Sequence, residues 1–131
     1  MPKTGIHEGR LAPCPSAPHC VSTQSEDPRH RLEPFRYVGS KDVMKKGLVQ
    51  AIQSMPGAAV IEIQDDYLHA EFRSRIMKFV DDLEVYFEPG QKIIHFRSCS
   101  RKGYFDFGVN RKRVESLKNQ LSGLQQADHK R

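Results

Sequence analysis

Four runs of alternating apolar and polar residues, Ala59 to Ile63, Tyr67 to Arg73, Phe79 to Glu88 and Lys92 to Arg101, follow one another with little between them. Asp65-Asp66 and Pro89-Gly90 are turn residues, and links this short join antiparallel neighbours. Side chains two apart share a face of a strand. Leu68, Ala70 and Phe72 therefore belong with Leu83, Val85 and Phe87 on an apolar face, and Tyr67, His69, Glu71 and Arg73 with Asp82, Glu84, Tyr86 and Glu88 on the reverse. Asp81 breaks the pattern: it shares the apolar face of Phe79 and Leu83, where a carboxylate must find a cation or several donors.

An apolar sheet face needs a cover, and two segments have the period of amphipathic helices. Ser40 is placed to cap a helix in which Asp42 lies in the first turn and Met44, Leu48, Ala51 or Ile52, and Met55 recur on one side, ended by Pro56-Gly57. From about Asn110 to Leu124, Val114, Leu117, Leu121 and Leu124 form a second stripe. Leu32 to Val38 reads as an edge strand, because Pro34 has no N–H to give a ladder. The expected fold is α+β, a single domain in the order β-α-β-β-β-β-α, with a curved antiparallel sheet and both helices packed on one face.

Residues 1–27 hold several glycines and prolines and few periodic apolar side chains, so they are expected as an extended N-terminal arm. Residues 28–125 form the α+β domain, and 126–131 are expected as a disordered tail. The 131 residues suffice for one core without a staple.

The excess of 21 Lys and Arg over 16 Asp and Glu attracts anions in general. Lys3, Arg10, Lys130 and Arg131 lie outside the expected core, however, so the folded body is closer to neutral, and nucleic acid is not an expected partner. No apolar run approaches the roughly twenty residues that cross a bilayer, and the first twenty lack a secretory apolar stretch, so the chain reads as soluble and cytoplasmic. Phosphate-cradling glycine motifs, a nucleophile-elbow serine and paired metal histidines on a helix are missing from the sequence, which leaves common nucleotide-binding and hydrolase chemistry without support and no cofactor to expect.

Several motifs nevertheless follow one another in an order that resembles one family: Pro13-Cys14-Pro15-Ser16-Ala17-Pro18-His19-Cys20-Val21-Ser22-Thr23-Gln24, then Asp66-Tyr67-Leu68-His69-Ala70-Glu71, Phe79-Val80-Asp81-Asp82, Arg97-Ser98-Cys99-Ser100-Arg101 and Gly108-Val109-Asn110-Arg111-Lys112-Arg113-Val114-Glu115. The resemblance is to the bacterial and plastid proteins of the domain of unknown function 1499, and it spans about residues 9 to 121. It implies no assigned activity. Relatives often carry export or lipid-anchor signals, so it suggests a cell-envelope role that is not carried over to this chain. His19 stands where many relatives have asparagine, and Cys99 where a small residue is more usual, which speaks against a family-wide metal role for either.

Polar groups converge in three places. Arg97, Ser98, Ser100 and Arg101 run towards Asn110 at a helix start, and two guanidiniums beside helix amides make an anion receptor for phosphate or carboxylate. The competing arrangement is internal: Asp81, Asp82 and Asp106 neutralise the arginines and fix the corner. His69 lies on a strand face with Glu71 and Arg73, within reach of Asp82, Glu84, His95 and Arg97 on neighbouring strands, as a site or as a solvated face of weak ion pairs. His30, between Arg29 and Arg31, is either an acid or base near neutral pH or an imidazole holding the arm by a hydrogen bond.

Cys14 and Cys20 are separated by five residues, wider than the usual zinc pair, so a disulfide or two free thiols fits better than metal completed by His19, His30 or Cys99. The function expected is a non-catalytic binding module holding an anionic ligand or a partner segment at Arg97, Arg101, His69, Ser98, Ser100, Asp81, Asn110 and His30. Metal or redox chemistry at Cys14 and Cys20 is the alternative, and an enzyme with a histidine base is weaker.

Overall fold

The computed structural model describes residues 4–16, 19–74, 79–102 and 108–129. Ten elements follow in order: β1 (Ile6–His7), β2 (Arg10–Leu11), β3 (Cys20–Ser22), β4 (Phe35–Arg36), α1 (Lys41–Gln53), β5 (Ala58–Ile63), β6 (Tyr67–Arg73), β7 (Val80–Phe87), β8 (Ile93–Ser100) and α2 (Val109–His129). Strands β5 to β8 are the four alternating runs, paired antiparallel with each neighbour in sequence. Beyond β8 the sheet is finished by two short pieces, β3 opposite Arg97 to Cys99 and β4 opposite Ile93 and Ile94. The Leu32 to Val38 segment thus supplies an edge strand, shortened to the two residues that follow Pro34 and Pro34's missing donor.

Both helices cover one face. Ser40 caps α1 by accepting from the Val43 amide, and Met44, Leu48 and Ile52, four residues apart, turn inward. Val114, Leu117 and Leu121 of α2 meet them over Leu68, Ala70, Leu83, Val85, Phe87, Ile94 and Phe96, forming one core. Each large side chain buried there contributes about 1.5–3 kcal/mol of transfer free energy. The helices approach closely at Gly47, where an added Cβ would lie 2.2 Å from the Leu124 side chain. The α2 helix runs on to His129, through residues 126–129 that were expected in a tail. No helix of the described residues is long and apolar enough to cross a membrane.

The N-terminal arm is extended, yet it contributes three short strands that its composition did not signal. Strands β1 and β2 pair as a hairpin whose two loop residues, Glu8 and Gly9, both have positive φ (54° and 74°), as a tight hairpin turn following the twist of its strands demands. From there the chain crosses the sheet face opposite the helices and reaches β3 on the far edge.

A polar face roofed by the N-terminal arm

Register places the reverse-face side chains in rows. Tyr67, Tyr86 and His95 form one row across β6, β7 and β8; His69, Glu84 and Arg97 the next; Glu71, Asp82 and Cys99 a third, which Cys20 of β3 extends. Alternation assigned these residues, the two cysteines apart, to this face, but left open how far water reaches them. Much of the face is buried, because the arm lies over it. Leu11 packs on Tyr67 and Tyr86. The Gly5 amide donates to Glu84 Oε2 (2.6 Å) and to Tyr67 Oη (3.1 Å), and the Pro13 carbonyl accepts from Arg97 Nη2 (3.3 Å).

Under this roof Arg97 and Glu84 are 1% and 0% exposed and joined at 3.0 Å. Glu84 also accepts from Tyr67 Oη at 2.6 Å, so its charge is met by three donors, the condition on which a carboxylate can be buried. Burial, then the bond to Glu84, pushes the Tyr67 phenol well above its ordinary range.

Next to this pair, His69 Nε2 and Asp82 Oδ1 lie 2.7 Å apart, and Arg101 donates from Nε and Nη2 to the two Asp82 oxygens at 2.9 and 3.0 Å, and from Nη2 to Glu71 Oε2 at 2.5 Å. Burial alone would raise Asp82, but His69 and Arg101 hold its carboxyl at about 2. The hydrogen bond to Asp82 raises His69 above its usual 6.5 despite burial. The two shifts bound a pH window. A raised histidine contributes fully below its unfolded value of 6.5 and loses that contribution as pH climbs through the folded value; a depressed carboxyl contributes above 3.8 and loses its contribution as pH falls towards 2. Thermal unfolding measured across pH should therefore show this cluster's stabilisation greatest between roughly pH 4 and 6.5 and declining above it. His69→Gln should flatten the decline on the alkaline side; an unchanged profile would show that the pair does not couple to folding.

On the helix side of the same end of β8 the expected corner is internal. Asn110, fully buried, accepts from Ser98 Oγ (2.6 Å) and Arg113 Nη1 (2.7 Å) and donates from Nδ2 to Ser100 Oγ and the His19 carbonyl, both at 3.0 Å. Asp81 finds the cation it needs in Arg113 (2.9 Å), whose guanidinium lies 4.3 Å from the centre of the Phe72 ring. Asp106 falls outside the described residues. Arg97 and Arg101, expected to face an anion, are thus engaged by carboxylates of their own sheet; Asp81 ties α2 to β7, and Ser98, Ser100 and Asn110 fasten α2 and the arm to β8.

His30 is brought to the same edge from the other side. Its Nδ1 lies 2.8 Å from the Cys20 carbonyl, which can only accept, so Nδ1 carries the hydrogen and Nε2 presents a lone pair in the neutral ring. Nε2 is buried without a hydrogen-bond partner among the described residues and stands 3.8 Å from Asp27 Oδ2. The His30 side chain lines a cleft of about 680 Å³ between the arm and the β3 edge, shared with Arg10, Cys14, Ser22, Ser25 and Asp27. All three cysteines of the chain converge here: Cys14 beside the cleft, Cys20 on β3, and Cys99 directly across from it on β8. Sequence reasoning grouped Cys14 with Cys20 but gave Cys99 only as an optional ligand; its parity with Arg97 and Arg101 on β8 was the available signal. Among the described residues no group of three or more His, Cys, Asp or Glu is arranged to hold a metal ion.

An open antiparallel sheet with two helices on one face and an arm docked on the other defines a small α+β protein with a closed polar interior. The chain belongs to the family described as protein of unknown function (DUF1499), whose model matches residues 10–121, from the arm's second strand to the last buried leucine of α2. No curated protein matches it.

Proposed function

We propose that this chain is a non-catalytic binding module that receives a small anionic ligand in the cleft between the arm and β3. The observation that carries this reading is His30: 3% exposed, fixed through Nδ1, with an Nε2 unsatisfied among the described residues, in a side chain that lines the cleft. A buried polar atom without a partner costs about 1–3 kcal/mol, which a ligand hydroxyl would relieve. Arg10, on the same cleft, donates to the Gln24 carbonyl (3.1 Å), an uncharged acceptor, whereas Arg29 is taken by Asp27 (2.8 Å). An oxyanion that keeps one hydroxyl, such as hydrogen phosphate, would donate to His30 and accept from Arg10.

Calorimetric titration with inorganic phosphate tests this. Binding is expected, weakened about tenfold, or about 1.4 kcal/mol, in His30→Ala and in Arg10→Ala. Equal binding by wild type and both variants, or none by wild type, would overturn it. An enzyme with a histidine base has less support, since His69 is engaged by Asp82 and no substrate geometry accompanies His30. For the metal alternative at Cys14 and Cys20, elemental analysis of chelator-free protein decides: tight structural zinc would leave far more than about a tenth of a mole per chain.

A further inference from the structure

Three thiols meet at one point, two of them six positions apart in the arm and the third, Cys99, from β8. Cys20 and Cys99 are directly opposed on β3 and β8, and the bond from the Ser100 amide to the His19 carbonyl (3.0 Å) makes them a non-hydrogen-bonded pair, the closer of the two antiparallel kinds. Cys14 is brought over them by the arm, which Arg97 holds at the adjoining Pro13 carbonyl. The Cys20 thiol is flanked by both others within hydrogen-bonding reach. Their exposures differ in a way that orders their chemistry: Cys20 and Cys99 are 0% and 2% exposed, while Cys14 is only partly buried and borders the cleft.

We propose that Cys14 and Cys20 form a reversible dithiol–disulfide pair, oxidised by small disulfides that reach Cys14 through the cleft, with Cys99 as the base that assists Cys20. This lies beyond the phosphate reading and does not depend on it. In the first step the Cys14 thiolate attacks one sulfur of the small disulfide; that S–S bond breaks, a mixed disulfide forms on Cys14, and the first small thiolate leaves and is protonated. In the second, Cys20 Sγ attacks Cys14 Sγ, its proton passing to Cys99, and the second small thiolate departs and takes that proton. Two protein thiols are oxidised and one small disulfide is reduced to two thiols. The environment favours this division of labour: the hydrogen bond from Cys20, then the nearby Arg97 guanidinium, draws Cys99 below its ordinary value, while its thiol neighbours and burial push Cys20 up. A Cys20–Cys99 bond would instead require the oxidant to reach a buried sulfur. The new bond would tie the arm to β3 and lock the roof over Glu84 and Arg97.

Folded protein incubated with oxidised glutathione, quenched in acid, alkylated and mapped by mass spectrometry tests the assignment. The expected product has lost two of its three alkylatable thiols, carries a Cys14–Cys20 linkage with Cys99 alkylated, and regains all three on reduction with dithiothreitol. Cys99→Ser should still form that linkage, more slowly, and Cys14→Ser should give neither linkage nor adduct. Three free thiols in the treated wild type, a glutathione adduct that persists on Cys14, or a linkage through Cys99 would each overturn it.

Discussion

Replacing Arg97 by alanine should destabilise the fold by about 3–5 kcal/mol, the range for removing one partner of a buried ion pair. The loss falls on Glu84, which is fully buried and would keep its charge with only Tyr67 Oη and the Gly5 amide as donors. The Pro13 carbonyl would lose its donor as well, loosening the arm. Arg97→Met combined with Glu84→Gln should recover a large part of the deficit, since glutamine keeps an acceptor for Tyr67 and Gly5 and leaves no charge stranded. Denaturant unfolding of Arg97→Met, Glu84→Gln and their combination measures this as a cycle. An alanine variant within about 1 kcal/mol of wild type would mean that water reaches Glu84 and that the pair is an ordinary surface contact.

The second large effect is expected at Asn110. Alanine there removes a partner of Ser98, Ser100 and the His19 carbonyl at once; the carbonyl keeps the Ser100 amide, but the two hydroxyls lose their bonds to Asn110, a buried group so left costing about 1–3 kcal/mol. A total near 3 kcal/mol is expected, read as a lower urea midpoint with an unchanged slope. Asn110→Asp should also destabilise: it still accepts from Ser98 and Arg113 but turns a carboxylate oxygen towards the His19 carbonyl. A neutral Asn110→Ala would show that the corner is held by its apolar contacts alone.

The same residues mark how far the sequence could be read. Strand β6 was legible to the residue, Tyr67–Arg73, because alternation of Leu68, Ala70 and Phe72 with polar neighbours separates two faces whatever lies beyond them. The need of Asp81 for a cation was legible for the same reason, though not that Arg113 would meet it. What covers the reverse face was not legible. The arm docks through the Gly5 amide and the Pro13 carbonyl, groups that every residue but proline, or every residue, possesses, and so its docking leaves no pattern of side chains. Once it docks, Glu84, Arg97 and Cys99 pass from a solvated face to an interior, and two arginines that looked available for an anion become structural. The β1–β2 hairpin was hidden likewise: two-residue strands are too short to show a period, and Glu8 is an unusual residue for positive φ.

The burial of Glu84, the gathering of the thiols and the cleft beside His30 all depend on one physical fact, that the arm lies closed over β6, β7 and β8. Amide hydrogen exchange followed residue by residue in the intact chain measures it directly. A closed arm gives slow exchange at Gly5, bonded to Glu84, and at Leu11, bonded to the Gln24 side chain, in step with Phe87 on β7, bonded to the Asp66 carbonyl. Exchange of Gly5 and Leu11 at the rate of an unstructured peptide, with Phe87 still protected, would contradict it.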